Sequence, residues 1–140
     1  MESIRTAERE LPVRLVLSFA ASVSVPMRLH YAAHDPYAVR ATFSPLGRQG
    51  TVEWVFSREV LAEGMTAHAG HGDIRVWPGV GAARDVLYIA LSSPAGSALI
   101  EASLQDVRLF LDESQSVVPL GGESRQFDLD TEVAHLLAGG

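Results

Sequence analysis

Asp35-Pro36-Tyr37-Ala38-Val39-Arg40-Ala41-Thr42-Phe43, followed after one turn by Val52-Glu53-Trp54-Val55-Phe56-Ser57-Arg58-Glu59, decides the fold class. Pro36 fixes its own φ and pushes Asp35 toward extended geometry, so the first stretch opens as a turn leading into a strand. Val39, Ala41 and Phe43 then alternate with Arg40, Thr42 and Ser44, the two-residue period of a half-buried strand. Val52, Trp54 and Phe56 repeat the alternation until Ser57, where the pattern turns helical. Pro45 to Gly50 reads as the turn between them. Neither stretch holds a nucleophile, a metal cage or a phosphate loop. The reading is a scaffold whose surface is its function.

Upstream, residues 1–10 are charged and read as a disordered N-terminus, and 11–140 as one domain. Val13, Leu15, Leu17 and Phe19 form one face of a first strand, and Val23, Val25, Met27, Leu29 and Tyr31 one face of a second. Ala20-Ala21-Ser22 is the bend between them, and Pro26 marks an edge strand or a bulge. Downstream, Ser57 caps a short helix with Glu59 in its first turn and Gly64 at its end. Ala67 to Gly72 reads as a loop, and Ile74, Val76 and Trp77 as a strand ended by Pro78-Gly79. Val86 to Leu91 is apolar on both faces. Its Leu87, Ile89 and Leu91 face meets either the core or a second subunit. Ala98 to Ala102 is the last strand.

Ser103 caps a second helix, with Asp106 three residues on and Leu104, Val107, Phe110 and Leu111 at three- and four-residue steps. Pro119-Leu120-Gly121-Gly122 breaks the second half, and one of its glycines is expected at positive φ. Asp128 is expected to cap a last helix whose Leu129, Val133, Leu136 and Leu137 dock on the sheet. The order is four strands, a helix, three strands and two helices. That is an α+β domain with antiparallel sheet, about seven strands and three helices, and a hint of internal doubling.

Composition narrows the function. The chain has 140 residues, 47% hydrophobic and 20% charged, normal for a globular domain that buries a core. Without cysteine it makes no disulfide and no thiolate site. No stretch approaches the roughly 20 apolar residues of a membrane span, and the acidic N-terminus is no signal peptide, so a cytoplasmic protein without membrane insertion is expected. A net charge of −6 weighs against nucleic acid as a partner. All 11 basic residues are arginine, which reads as coding bias.

Few residues invite chemistry. His68-x-x-His71-x-Asp73 has metal-like spacing, but it sits in a glycine-rich loop without a rigid frame, and a solvated loop is the simpler reading. His30, His34 and Asp35 cluster before the Asp-Pro turn, where Asp35 bonding turn amides is simpler than acid–base work. Ser92 to Ser97 lacks a nucleophile elbow, and the glycines form no phosphate loop. No catalytic residue, metal ligand or cofactor is expected. The residues singled out are Leu120, Gly121 and Gly122, as an exposed, rigid partner-binding turn.

Several stretches carry a family likeness: Asp35 to Phe43, Val52 to Phe56, Leu61-Ala62-Glu63-Gly64, Gly72 to Pro78, Ile89 to Pro94, and Phe127-Asp128-Leu129-Asp130. Taken together, from about residue 12 to 138, the chain resembles the SsgA-like proteins of sporulating actinobacteria. The resemblance implies a non-enzymatic regulator of sporulation-specific cell division. It implies a protein that marks septum sites and recruits the tubulin-like protein FtsZ, with an SsgA-type partner upstream. It also implies a whirly-like fold assembled as a homo-oligomer, a trimer. That fold leaves a single-stranded nucleic-acid binder as the alternative, against which the acidic, lysine-free composition weighs.

Overall fold

The structure is a computed structural model that describes residues 5–18, 20–44, 50–94 and 96–139. One eight-stranded antiparallel sheet runs in the order β4-β3-β2-β1-β8-β7-β6-β5. Its strands are β1 (Thr6–Ser18), β2 (Ala21–Ala32), β3 (Asp35–Phe43), β4 (Val52–Ser57), β5 (Ala69–His71), β6 (Ile74–Pro78), β7 (Val86–Ser93) and β8 (Gly96–Ser103). The helices are α1 (Arg58–Glu63), α2 (Leu104–Val117) and α3 (Glu123–Gly139). Two four-strand meanders, each ending in a helix, therefore join at β1 and β8, which is the doubling the element order hinted at.

The alternation places the core. Leu11, Val13, Val25, Met27, Leu29, Val39, Ala41, Phe43, Phe56, Val76, Ile100 and Ala102 are buried on one face. The buried α2 residues Val107, Phe110 and Leu111 join them in one cluster, with Trp54 packed half-buried against it. Leu87, Ile89 and Leu91 of β7 lie in this core, so that face is spent within the chain.

Helix ends follow the sequence. Ser57 Oγ accepts the Val60 N–H at 3.2 Å and Ser103 Oγ accepts the Asp106 N–H at 3.2 Å. Gly64 closes α1 where a Cβ would fall 2.2 Å from Val76 Cγ1, so only glycine allows this approach of helix to sheet.

Several expectations are corrected. Residues 6–10 are not disordered: Thr6 to Glu10 pair with Ala32 to Arg28, and Ala7 is buried. Their charged side chains alternate with inward ones, a pattern that charge density hid. The strands number eight because Ala69–His71 pairs with Ile74–Val76. Its glycines looked like loop, yet Gly70 and Gly72 at φ of +80° and +72° shape a tight hairpin. Pro26 lies on an interior strand, opposite Pro12. β8 pairs with β1 only from Val13 and β3 with β2 only from Met27, so neither proline removes a ladder bond on its outer side. Leu17 is 63% exposed, so the inward face of β1 ends at Leu15. Phe19 lies outside the described residues.

The last helix departs most. It starts at Glu123, not at Asp128. Leu129, Val133, Leu136 and Leu137 are 49%, 53%, 74% and 83% exposed, so although α3 lies against β3 this stripe is not buried on the sheet. The helical period was right, but period alone does not say which surface an apolar stripe covers.

Candidate partner-binding surface

Leu120, Gly121 and Gly122 lie in the turn between α2 and α3. The Gly122 N–H donates to Pro119 O at 2.9 Å and closes it. Gly121 takes φ of +90°, as the turn required, and no atom lies within 4 Å of the Cβ it lacks. Glycine is there for backbone freedom, not for space. Both Glu123 carboxylate oxygens accept the Gly121 N–H, at 3.1 and 3.0 Å, which ties the turn to the first turn of α3. Leu120 is 39% exposed. A groove of about 400 Å³ runs beside the turn, lined by Glu59, Ala62, Glu63, Leu120, Gly121 and Glu123.

What holds the turn is Arg58, which sequence reasoning passed over. It opens α1 and is fully buried. Its Nη1 donates to Ser114 O at 3.2 Å, Ser114 Oγ at 3.3 Å and Val118 O at 2.6 Å. Its Nη2 donates to Pro119 O at 3.2 Å and Glu123 Oε1 at 2.6 Å. These carbonyls belong to the end of α2 and to the turn, where a cation satisfies orphan acceptors and complements the helix dipole. The guanidinium also lies 4.4 Å from the centroid of the Tyr31 ring. The Tyr31 hydroxyl in turn donates to Pro36 O at 2.9 Å. The Asp-Pro-Tyr opening of β3 is thus linked through Tyr31 and Arg58 to the start of α3.

Two titrations reflect this packing. Burial pushes the Tyr31 phenol up to about 12, against the lowering effect of Arg58. Burial also disfavours the Glu123 carboxylate. The hydrogen bonds from Arg58 and from the backbone outweigh it and hold this carboxyl below its ordinary range. A signal for Arg58 existed. A cation in the first turn of a helix opposes the dipole and invites the question of what negative partner it has.

The histidines form no such centre. His68 stacks on Trp77, with ring centroids 5.5 Å apart, and Trp77 on Tyr88 at 5.7 Å. Among the described residues no three of His, Cys, Asp and Glu come together as a metal-binding group. The Asp35 carboxylate faces Arg40 at 3.8 Å rather than the turn amides. Among the described residues no helix is long and apolar enough to cross a membrane.

The family model for the Streptomyces sporulation and cell division protein SsgA matches residues 25–123. The sporulation-specific cell division protein SsgB of Streptomyces coelicolor is 50% identical over 133 residues, covering 95% of this chain and 96% of that one. Its namesake in Thermobifida fusca is 39% identical, covering 92% and 93%. A solved SsgA-like sporulation-specific cell division protein from Thermobifida fusca superposes with a TM-score of 0.84 at 38% identity, covering 96% of this chain and 98% of that one. A structure from work relating mutations in SsgB to longitudinal cell division during sporulation of Streptomyces coelicolor gives 0.83 at 46% identity, covering 91% and 99%. With the sheet order, the helix caps and these matches together, the chain belongs to the SsgA family of sporulation and cell division proteins.

Proposed function

We propose that the chain is a non-enzymatic regulator of sporulation-specific cell division that marks septum sites and recruits the tubulin-like division protein FtsZ. The observation that carries the reading is the exposed apolar stripe of α3: Leu129 and Val133 are half exposed and Leu136 and Leu137 mostly so, beyond the anchored turn. A helix that leaves such a stripe exposed gains stability by covering it with a partner. Leu120, Gly121 and Gly122 set the direction in which α3 leaves the domain. The relatives' names supply the process, sporulation-specific cell division. The protein acts in the cytoplasm at the septum, with an SsgA-type partner placing it, and as a homo-oligomer, a trimer by family likeness. The inward face of β7 contributes nothing to that assembly, since it lies in the core.

The nucleic-acid alternative is weaker. A single-strand groove needs unpaired arginines beside exposed aromatics. Arg9, Arg28 and Arg40 instead face carboxylates, Arg58 is buried, and the exposed Arg14 is engaged by Ser22 Oγ. Co-sedimentation with FtsZ polymers, run beside a single-stranded DNA shift at low salt, tests the reading. Binding to FtsZ that Leu136→Asp/Leu137→Asp abolishes supports it. A DNA shift without FtsZ binding overturns it. Light scattering on the same variant separates the roles of the stripe: loss of the oligomer would assign α3 to self-association.

A further inference from the structure

The sheet face opposite the helices carries a second feature, far in sequence from the α2–α3 turn. Register places Trp77 beside Tyr88, Tyr88 beside Glu101, and Glu101 beside Arg14. These four form one row across β6, β7, β8 and β1. The stack of His68 on Trp77 and Trp77 on Tyr88 fixes the Tyr88 ring on one side. Beyond it the row changes character, and the half-buried Glu101 carboxylate makes no hydrogen bond or ion pair with any described residue. Its cross-strand neighbour Arg14 is exposed and gives its Nε to Ser22 Oγ at 2.8 Å.

Glu101 and Tyr88 open into a cleft of about 580 Å³, whose other walls are mainly the apolar Val16, Leu17, Leu99 and Ala21, with Ser18 and Ser22 at the β1–β2 end. Leu17 stands at its rim, 63% exposed. The volume lies within the range of pockets that hold a few side chains or a small ligand. A carboxylate set among apolar and aromatic walls favours a cation that brings its own apolar stem. Arginine fits best, because its plane stacks on a ring while its fork meets a carboxylate. The acidic balance of the chain, −6 overall, draws such a partner.

We propose that this cleft is a second interaction surface, which takes a basic, apolar-flanked segment of a partner protein, one arginine laid against Tyr88 with its head on Glu101. The proposal stands apart from the reading of α3. It is tested with the full chain and the peptide acetyl-Leu-Arg-Leu-amide, followed by backbone amide shifts. The expected result is saturable shifts at Ala21, Tyr88, Leu99 and Glu101 and none at Leu120 or Gly121. Acetyl-Leu-Glu-Leu-amide should shift nothing. Glu101→Gln should weaken the arginine peptide about tenfold with an unchanged thermal melt. Leu17→Ser, at the rim and away from the carboxylate, should weaken it about threefold, which keeps the test decisive if Glu101→Gln misfolds. Equal binding of the two peptides, or unchanged affinity in these variants, would overturn the proposal. So would the same shifts appearing without peptide as the protein is concentrated, which would assign the cleft to a second copy. Shifts of the same amides by oligothymidylate in place of the arginine peptide would also sink it.

Discussion

Arg58 and Leu137 lie on either side of the α2–α3 turn and are treated in opposite ways. Arg58 is a charge with no exposure, and its guanidinium is surrounded by acceptors, a carboxylate and an aromatic ring. Leu137 is an apolar side chain that is 83% exposed. Ordinary burial preferences would reverse them. The reversal separates two tasks. The joint is closed, and both Arg58 Nη atoms are hydrogen-bonded within it, so it fixes where α3 begins. Beyond the joint the helix presents apolar surface, most of it at Leu136 and Leu137, that the described residues leave exposed.

The sharpest way to break this comparison is to remove the buried charge. Arg58→Met would strand Glu123 and the carbonyls of Ser114, Val118 and Pro119, and should cost about 3–5 kcal/mol in denaturant unfolding. A loss below about 1 kcal/mol would mean the joint holds without it. Phe56→Ala gives the apolar reference: Phe56 is 7% exposed, and its truncation should cost roughly 3–5 kcal/mol with partner binding intact at low temperature.

Gly121→Val acts between the two regions. A β-branched residue resists φ of +90°, while no neighbour stands in the way, so the cost is backbone strain of about 1–3 kcal/mol. The start of α3 should be displaced and FtsZ co-sedimentation should fall further than stability does. A large drop in melting temperature with normal binding at low temperature would make Gly121 a helix terminator only.

Acid and base sharpen the account of the joint. The Glu123 carboxyl is held low in the folded chain, so its contribution is present above the ordinary carboxylate range and is lost as pH falls through its folded value. Glu123→Gln should flatten that part of the acid limb of the stability curve. Tyr31 titrates in the opposite sense: raised to about 12, it supports the fold fully below its unfolded value near 10.0 and loses that support as pH climbs toward 12. Absorbance titration of wild type against Tyr31→Phe checks it. Smallest of all in stability is Leu136→Asp/Leu137→Asp, expected within about 0.5 kcal/mol of wild type. A clear destabilisation would show that the stripe is covered within the chain after all.

The sequence by itself determined what depends on near neighbours. Alternation at Val39, Ala41 and Phe43, and at Val52, Trp54 and Phe56, reads out the strands because a pleat puts every second side chain on one face. Ser57 and Ser103 announce their helices because a cap is a bond across three residues. The Gly121-Gly122 pair announces a positive φ because a single residue sets it, and the structure gives it to Gly121. Only the tertiary structure decided the rest. Thr6 to Glu10 became a strand because β2 was there to pair with them. Arg58 became a buried joint because α2 ended, and α3 began, beside it. The stripe of α3 remained exposed, although its period is that of a docking face, because period fixes which residues share a side and not what lies opposite. Glu101 met Tyr88 and the walls of its cleft through strand order. Contacts of this range depend on the order and curl of the whole sheet, which no local pattern in the chain encodes.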